Sequence, residues 1–404
     1  MKQMQITGAG GTVARVGRSR LPVAYADAMD VAARLKPVEP VFCFDRTKLA
    51  ERVQAFLAGF PGDVSYAVKA NPSTQVLLTM AGAGLRIFDV ASIKEIETVR
   101  RVAPRARLHY HNPIKARSEI ATAYDRYGVR RFSADSAEEI AKIVAVTGGD
   151  PSVEIAVRFC LATAGNAVHE FSSKFGARPA LAAELLRQVD QAGLIPLLTF
   201  HPGSQCTDPE AYRHHIETAA GIVRTAGVRI GKLNVGGGFA ADYLPSPAPA
   251  LSEYFRVIAE AMREHFGEVG APRLECEPGR GMVATSISLL TRVKLVKSGL
   301  GQAFINDGIY GALMECYQAP KLQPHLRAIR DGKELQGETR PFVLFGPTCD
   351  SLDRLPNPAE LPADLAEDDY IEFANLGAYG VATSTRFNGF GGAEVVSVKR
   401  VLSV

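Results

Sequence analysis

One lysine closes a strand-like apolar run and could act as a nucleophile. The run lies in "DVSYAVKANP", residues 63–72, where Val64, Tyr66 and Val68 favour a mostly buried strand that ends at Lys69. Lysine is seldom buried without a partner or a function. Lys69 could lie at the strand edge with its ammonium group in water, or it could be partly desolvated and form a Schiff base with a carbonyl compound.

Two glycine-containing motifs further along could bind a phosphate group. The first, "NVGGGF", places Gly236–Gly238 after a short apolar run, and the second, "ECEPGRG", places Glu277, Gly279 and Arg280 after another. Backbone N–H groups of glycines can surround a phosphate, and an arginine can bind its oxygens. Either motif could be a simple tight turn. Together, however, they follow the last two of eight predicted strands, where barrel enzymes often bind phosphate.

A histidine completes a set of groups that suits a flat cofactor. His201, in "FHPGSQ", could be a buried core histidine or could stack on a cofactor ring. A Schiff-base lysine, a phosphate site and a carboxylate together indicate pyridoxal 5'-phosphate (PLP). In this interpretation Glu277 keeps the pyridine nitrogen protonated, so that the ring can accept electrons.

Strands that alternate with helices must position these groups. Eight short apolar runs, from "VSYAVK" to "RLECEPGR", are separated by amphipathic segments such as "IKEIETVRRV". This alternation predicts an α/β fold with a (β/α)₈ TIM-type barrel, and an open doubly wound sheet is the alternative. The predicted strands end at Lys69, Asp89, His111, Asp135, Arg158, His201, Gly236–Gly238 and Glu277, as in a lined active site.

The chain changes character after the last of these motifs. Strand-like segments such as "RPFVLFG" and "DYIEFANLGAYG" follow, with Gly, Pro and Asp turns between them and one helical stretch predicted around residues 321–331. We therefore predict a barrel over residues 36–279 and a mostly β C-terminal domain over residues 280–404. Residues 1–35, which include "TVARVG", could add a strand to the β domain.

The composition is ordinary for a globular protein and excludes several classes. The 404 residues carry a net charge of +3, which is too small and too evenly spread to predict binding to nucleic acid or to a membrane. No apolar run reaches the roughly 18 residues of a membrane helix, and the N-terminus lacks the apolar core of a signal peptide, so we expect a cytoplasmic protein. The six cysteines form no CxxC pair, which predicts neither a metal site nor disulfides.

Nine motifs in order give the chain a resemblance to a known family. They lie between residues 66 and 390 and read "YAVKAN", "FDVAS", "SKFG", "FHPGSQ", "NVGGGF", "ECEPGR", "NDGIYG", "FGPTCDSLD" and "NLGAY…FNGF". The chain resembles the barrel-fold, PLP-dependent decarboxylases of basic amino acids, the ornithine and lysine decarboxylase branch most of all. The resemblance implies decarboxylation of L-ornithine to putrescine in polyamine biosynthesis, by a homodimer with active sites at its interface.

The same resemblance implies roles for individual residues. Lys69 holds the cofactor and is catalytic, and Cys349 acts near the Cα atom that is reprotonated after carbon dioxide leaves. Asp350 and Tyr310 lie on the substrate side, where Asp350 faces a distal amine. The implied cofactor-binding residues are Lys69, Asp89, Arg158, His201, Ser204, Gly236, Gly237, Gly238, Glu277, Gly279, Arg280 and Tyr379.

Two segments depart from the family pattern. Asn234 stands where relatives commonly have aspartate, just before the glycine run. In "ALMECYQAPKL", where relatives place an acid against the substrate's distal ammonium, Glu315 is the nearest acid, although a gapped alignment would put Gln318 at that position. Glu315 could simply be solvated, but we predict that it binds the substrate. Because glutamate is longer than aspartate, we expect ornithine, or a shorter or differently shaped amine-bearing substrate, to be preferred to lysine.

Three other functions compete with this interpretation. One is decarboxylation of a larger amino-acid-derived intermediate in siderophore or antibiotic biosynthesis. The second is racemisation, which needs two bases and which the "GPTCD" segment argues against. The third is an inactive, decarboxylase-like regulatory binding protein. Such a protein should have lost the lysine, the phosphate motifs or the cysteine, and this chain keeps all three.

Overall fold

A closed barrel of eight parallel strands forms the first part of the molecule. The computed structural model describes residues 25–161, 174–244, 247–267 and 270–402. The last barrel strand pairs with the first, which excludes the open doubly wound alternative and confirms the predicted barrel. After an initial strand β1 (Val41–Asp45), the barrel strands are β2 (Asp63–Ala67), β3 (Ile87–Val90), β4 (Arg107–Tyr110), β5 (Arg131–Ala134), β6 (Glu154–Arg158), β7 (Ile195–Thr199), β8 (Lys232–Asn234) and β9 (Arg273–Cys276).

Helices connect the barrel strands, and local sequence signals fix where several of them begin and end. The hydroxyl of Ser92 accepts a hydrogen bond from the N–H of Glu95, and Ser136 does the same for Glu139, each at 3.3 Å, which caps two helices. One of these two helices ends at Gly148, whose left-handed backbone (φ 65°) stops it. The helices up to the last barrel strand are α1 (Ala28–Arg34), α2 (Arg46–Gly59), α3 (Thr74–Gly82), α4 (Ile93–Val102), α5 (Arg117–Ala121), α6 (Ala137–Thr147), α7 (Pro179–Gln191), α8 (Glu210–Ala226) and α9 (Leu251–Phe266).

A second, nine-stranded sheet follows the barrel. Its path runs β13–β12–β16–β10–β11–β14–β15, and β1 pairs with both β10 and β17. Its strands are β10 (Ile287–Lys297), β11 (Gln302–Ile305), β12 (Leu326–Arg330), β13 (Lys333–Glu334), β14 (Thr339–Phe345), β15 (Ala359–Pro362), β16 (Tyr370–Phe373) and β17 (Glu394–Val398), with short helices α10 (Arg280–Val283), α11 (Met314–Gln318) and α12 (Gly380–Thr383). A mostly β second part was predicted, and the structure confirms it.

Strand β1 belongs to the second sheet, although the predicted domain ranges assign its residues to the barrel. It lies within the predicted barrel range of 36–279, but it pairs antiparallel with β10 and parallel with β17 of the second sheet. The boundary between residues 279 and 280 stays a prediction. The segment "TVARVG" of the proposed N-terminal strand lies outside the described residues.

The helix predicted around residues 321–331 is wrong. Leu326–Arg330 form strand β12, which pairs with β16, and the helix of this region lies earlier, at Met314–Gln318. The hydrophobic pattern of a five-residue segment is too short to distinguish a strand from a helical turn.

The barrel strands are buried because helices and core cover both faces of the sheet. Every residue of β3 and of β5 is buried, as expected for parallel strands. Polar side chains therefore concentrate at the strand ends and in the barrel interior. Among the described residues, no helix combines the length and the apolar character needed to cross a membrane.

Candidate active site

Lys69 lies directly beyond the end of a buried barrel strand. Strand β2 ends at Ala67, and a single turn of 3₁₀-helix, Val68–Ala70, carries the lysine. Its neighbours Val68 and Ala70 are fully buried, whereas Lys69 itself is exposed and lines a cavity at the barrel mouth. The strand thus fixes the backbone on both sides while the amine stays accessible, as a nucleophile requires.

Glu277 is the centre of a buried polar cluster at the same mouth. It follows β9, and its Oε1 atom accepts a hydrogen bond from Nδ2 of Asn234 at 2.6 Å. The same oxygen is hydrogen-bonded to Nδ1 of His111, which follows β4. Oε2 takes part in neither contact, and Glu277 lines the cavity. One carboxylate oxygen is therefore held by protein while the other is available to a ligand.

Asn234, which stands where aspartate is common in the family, makes two hydrogen bonds at the barrel mouth. Its Oδ1 accepts a hydrogen bond from the N–H of Gly236 at 2.8 Å, and its Nδ2 donates to Glu277. An ionised aspartate could make the first contact but has no proton for the second. The amide therefore links the glycine run to the central carboxylate without adding a negative charge.

Burial and mutual charge set the protonation of this cluster. Burial alone would raise the pKa of Glu277, but the charge of His111 and the hydrogen bonds from His111 and Asn234 lower it below its usual value. Burial alone would lower the pKa of His111, and the charges of Glu277 and Asp89 raise it instead. Burial, followed by the charge of Glu277, raises the pKa of Asp89 to about 7. The cluster therefore favours the ionised form of Glu277 and the charged form of His111, and it moves the titration of Asp89 toward neutral pH.

A second polar layer lies beneath the first. Glu275, two residues before Glu277 on β9, is completely buried and lies 2.9 Å from Nδ1 of His109 and 2.5 Å from Nη1 of Arg131. Residues two apart on a strand share a face, so "HYH" and "ECE" each send both polar side chains into the barrel. Sequence reasoning overlooked His109, Arg131 and Glu275, although this alternation was a signal for His109 and Glu275.

The glycine run lies where side chains would collide with the backbone of a neighbouring loop. A Cβ atom on Gly236 would lie 2.1 Å from the carbonyl oxygen of Phe200, and one on Gly238 would lie 2.7 Å from that of Gly203. Both glycines also have positive φ angles, 68° and 98°. A Cβ on Gly237 would lie 2.8 Å from the carbonyl oxygen of Glu277. Only glycine permits this close approach, which exposes backbone N–H groups to the cavity.

Arg280 supplies positive charge next to the glycine run. Its side chain is buried, and its Nε and Nη2 atoms each lie 3.4 Å from Oγ of Ser204. The ring of Tyr379 faces the guanidinium, with 5.1 Å between the ring centroid and Cζ. The N–H of Tyr379 donates to the carbonyl oxygen of Ala70, next to Lys69, at 2.7 Å. The groups that could donate hydrogen bonds to a phosphate, Arg280 and Ser204, therefore line the same cavity as Lys69.

Glu315 forms an ion pair with Arg280. Nη1 of Arg280 donates to Oε2 of Glu315 at 2.7 Å, and Nη2 donates to Oε1. Helix α11 carries this carboxylate, and Gln318 lies exposed at the end of the same helix. The predicted substrate role of Glu315 stays a prediction, because no described contact places it against a substrate.

His201 and Arg158 approach the cavity from β7 and β6. Nδ1 of His201 accepts a hydrogen bond from the N–H of Gly203 at 3.0 Å. Burial, and then the positive charges of Lys69 and Arg158, hold the pKa of His201 well below its usual value, so its ring is neutral at pH 7. Burial also lowers the pKa of Arg158, opposed by the charges of Glu277, Asp135 and Asp89. His201 lines the cavity, whereas Arg158 is not among the lining residues and acts on His201 through its charge.

Cys349, Asp350 and Tyr310 form a separate, more exposed group on the β domain. The hydroxyl of Tyr310 donates to Oδ2 of Asp350 at 2.5 Å, and its ring centroid lies 4.8 Å from that of Phe387. The thiol of Cys349 is exposed and donates to Oδ1 of Asn388 at 3.2 Å. A backbone hydrogen bond from Leu352, and the Tyr310 hydroxyl, lower the pKa of Asp350. Within the described part of the chain, these three predicted residues do not line the cavity that contains Lys69.

The cavity at the barrel mouth brings most of the predicted cofactor residues together. Its polar groups are an amine, two carboxyl groups, a neutral imidazole, a guanidinium, a side-chain amide, two hydroxyls and glycine N–H groups, which fits the ring and the phosphate of PLP. The residues that line it are Ala67, Lys69, Asp89, His201, Ser204, Gln205, Gly237, Gly238, Phe239, Glu277, Gly279, Arg280 and Tyr379.

One further group of donors could hold a metal ion by spacing alone. Asp89, His111 and Glu277 each offer an atom within 4.8 Å of the others. The direct hydrogen bond between His111 and Glu277 uses two of these atoms on each other, so the arrangement also satisfies itself without an ion. Nε2 of His111 is buried and has no hydrogen-bond partner in the described ranges.

Comparisons with known proteins give the family to which this geometry belongs. Residues 46–284 match the family model described as the pyridoxal-binding domain of pyridoxal-dependent decarboxylases. The decarboxylase flvG of Aspergillus flavus is 32% identical over 346 residues, which cover 80% of this chain and 77% of that protein. The chloroplastic ornithine decarboxylase of Nicotiana glutinosa is 31% identical over 376 residues, 89% of this chain and 84% of that protein.

A solved structure gives the same result for the fold. A crystal structure of a mutant of SrLDC in complex with PLP is 28% identical and superposes with a TM-score of 0.80. The match covers 91% of this chain and 93% of that one, so it includes both the barrel and the second sheet. The cofactor, inferred above from residue chemistry, is the one that this structure contains.

Proposed function

The chain belongs to the pyridoxal-dependent decarboxylases, and from this premise we propose that it converts the basic amino acid L-ornithine to putrescine and carbon dioxide. The observation that carries the proposal is the convergence of Lys69, Glu277 and Arg280 on one cavity. An amine nucleophile, a carboxylate for a ring nitrogen and a cation for a phosphate are the three anchors that PLP needs.

The residues of the cavity each have a definite task. When bound, PLP supplies an electron sink for the electron pair that remains at Cα after carbon dioxide leaves. Lys69 would hold the cofactor through its amine. Glu277, kept ionised by His111 and Asn234, would keep the ring nitrogen protonated. The neutral, flat ring of His201 suits stacking on the cofactor, because it adds no charge to the site.

We propose that the enzyme is a homodimer in which Cys349 and Asp350 complete the site of the neighbouring subunit. The two residues lie on a β-domain loop outside the cavity of their own chain, among the described residues, and the Cys349 thiol is exposed. A proton donor to Cα must act in a water-poor site, because bulk water would compete with it. A second subunit that covers the loop would supply such a site.

The side chain of Asp350 supports a substrate with a distal ammonium group. Its pKa is lowered, so the carboxylate is ionised at neutral pH, and the Tyr310 hydroxyl holds one of its oxygens. An ionised carboxylate in a dimer interface would bind a cation by a charge-assisted hydrogen bond. A diamino acid such as ornithine provides that cation.

A substrate panel tests the proposal directly. The holoenzyme is supplied with ornithine, lysine, arginine and diaminopimelate, carbon dioxide release is measured, and each amine is identified by its mass. We expect the highest kcat/KM for ornithine. A higher value for lysine would contradict the substrate assignment, whereas release from none of the four would contradict the basic-amino-acid class.

One observation favours a second candidate, a decarboxylase of a larger amino-acid-derived intermediate. The only acid of the segment 312–322 is already paired with Arg280, and Gln318 is uncharged. The segment thus offers no free charge to a distal ammonium, as would suit a substrate whose amine is acylated. An enzyme of this kind would bind PLP normally yet release little carbon dioxide from free ornithine, and would prefer an N-acylated ornithine.

A further inference from the structure

Glu315 holds the guanidinium of Arg280 by one edge. The two terminal nitrogens, Nη1 and Nη2, each donate to a different oxygen of the carboxylate. The Arg280 side chain is 2% exposed and that of Glu315 is 12% exposed, so water competes little with the pair. Bidentate contacts of this kind fix the plane of a guanidinium as well as its position.

An adjacent edge of the same guanidinium, Nε–Nη2, faces the cofactor cavity. Nε and Nη2 both lie 3.4 Å from the hydroxyl of Ser204, a cavity residue. These distances are long for hydrogen bonds, and two donors share a single oxygen. The Nε–Nη2 edge is therefore weakly engaged and could donate two shorter bonds to a phosphate.

Aromatic contacts restrict the remaining freedom of Arg280. Nη1 donates to the Tyr243 hydroxyl at 3.2 Å, and the rings of Tyr379 and Tyr243 lie 5.1 and 5.7 Å from Cζ. The Tyr243 hydroxyl in turn donates to the backbone carbonyl of Asn375 at 3.1 Å. Glu315 is the one charged partner of Arg280 among the described residues.

We propose that Glu315 is a positioning residue for the cofactor phosphate, acting through Arg280, and that it does not read the distal group of the substrate. By binding the Nη1–Nη2 edge, it presents the Nε–Nη2 edge to the phosphate together with Ser204 and the glycine N–H groups. This inference rests on the PLP site of the proposed function but not on the identity of the substrate.

The negative charge of Glu315 and its ability to hold Arg280 have opposite effects on phosphate binding. A carboxylate beyond the arginine repels the phosphate, so its removal relieves repulsion even while it loosens the guanidinium. Glu315→Asp separates the two effects, because the charge stays and the side chain becomes one methylene shorter. We expect this variant to weaken PLP affinity about tenfold, the loss of one charge-assisted hydrogen bond.

The decisive measurement is cofactor affinity without substrate. The apo-protein is titrated with PLP and followed by visible absorbance, and the phosphorus NMR signal of the bound cofactor reports the surroundings of its phosphate. We expect lower affinity and a shifted phosphorus signal for Glu315→Asp. The matched control, Glu334→Asp on the exposed strand β13, should change neither.

A double-mutant cycle tests whether Glu315 acts through Arg280. Lysine cannot bind a carboxylate and a phosphate with two edges at once, so Arg280→Lys removes the proposed link. We expect the double variant to bind PLP within about twofold of Arg280→Lys alone. If the losses of PLP affinity in the two single variants multiply in the double variant, the two residues act independently and the proposal is wrong.

The competing assignment of Glu315 to the substrate gives a different pattern. If Glu315 contacts the substrate, Glu315→Asp should raise KM for the substrate at saturating PLP and leave cofactor affinity and the phosphorus signal unchanged. That result would also overturn the proposal. Thermal unfolding of each apo variant shows whether it is folded. If Glu315→Asp is less stable, the comparison of the double variant with Arg280→Lys still shows whether the loss of PLP affinity depends on Arg280.

Discussion

The polar cluster around Glu277 at the barrel mouth is largely buried, whereas the proposed proton donor lies on the exposed Cys349 loop. At the barrel mouth, Asp89, His111 and Glu277 are nearly or fully buried and fix one another's charge. On the loop, Cys349 is exposed and the Asp350 carboxylate is held by a backbone N–H and one tyrosine. The proposed cofactor residues therefore lie within one chain, whereas Cys349, if it is the proton donor as we propose, would need a second subunit to cover it.

The largest expected effect comes from the barrel mouth. Lys69→Ala removes the covalent anchor of the cofactor, so we expect loss of the visible absorption of the bound cofactor and an activity loss of about 10³-fold or more. Absorption spectra and carbon dioxide release measure both. Lys94→Ala, an exposed lysine on α4, is the control and should retain both properties. Wild-type turnover by Lys69→Ala would contradict the assignment of the nucleophile.

A smaller effect is expected from the exposed loop, and it should depend on a second subunit. Cys349→Ala should lower kcat by about 10²–10⁴-fold, the range for loss of a general acid, and should leave the cofactor spectrum intact. In a mixture of Lys69→Ala and Cys349→Ala subunits, heterodimers carry one complete site if the loop serves the neighbour. About a quarter of wild-type activity should then return after random exchange, since half the dimers would have one of two sites restored.

The control for this mixture is each variant exchanged with itself, which should stay inactive. Native mass spectrometry verifies that heterodimers form. Heterodimers without recovered activity would show that Cys349 works within its own chain, and the contrast between the two regions would then need another explanation.

The smallest effect is a pH dependence that only the buried cluster should show. The pKa of Asp89 is raised to about 7 in the folded protein, and that of His111 is also raised. Groups with a raised folded-state pKa contribute stability at low pH and lose it as the pH rises through that pKa. The Asp89 carboxyl alone should therefore lower the Tm of the apo-protein by roughly 2–4 °C between pH 5.5 and pH 8. His201, whose pKa is lowered by burial, contributes in the opposite direction in the same window, so the contribution of Asp89 is read as a difference between wild type and a variant.

Two asparagine variants separate the regions in this measurement. Asp89→Asn should remove this contribution, so the change in its Tm from pH 5.5 to pH 8 should lie above that of wild type by about the same amount. Asp350→Asn should show the same change in Tm as wild type, because the pKa of Asp350 is lowered and its titration lies far below this window. An equal slope for wild type and Asp89→Asn would show that the cluster does not titrate in this window.

Much of the cofactor site could be predicted because its signals are local. Lys69, Gly236 and Arg280 each stand at the end of an apolar run, and the barrel brings all strand ends to one face. The eight runs themselves form the eight barrel strands. The caps at Ser92 and Ser136 are equally local, since a capping serine and the N–H that it binds lie three residues apart.

Contacts between distant segments were decided only by the tertiary structure. His111 and Glu277 are 166 residues apart, and Arg280 and Glu315 are 35 apart on different parts of the fold. In the same way, β1 is one apolar run among several, and only packing assigns it to β10 and β17. Hydrophobic periodicity reports which way a side chain faces within its own element, whereas a partner for a buried charge is chosen by the closing of the barrel and the docking of the second sheet.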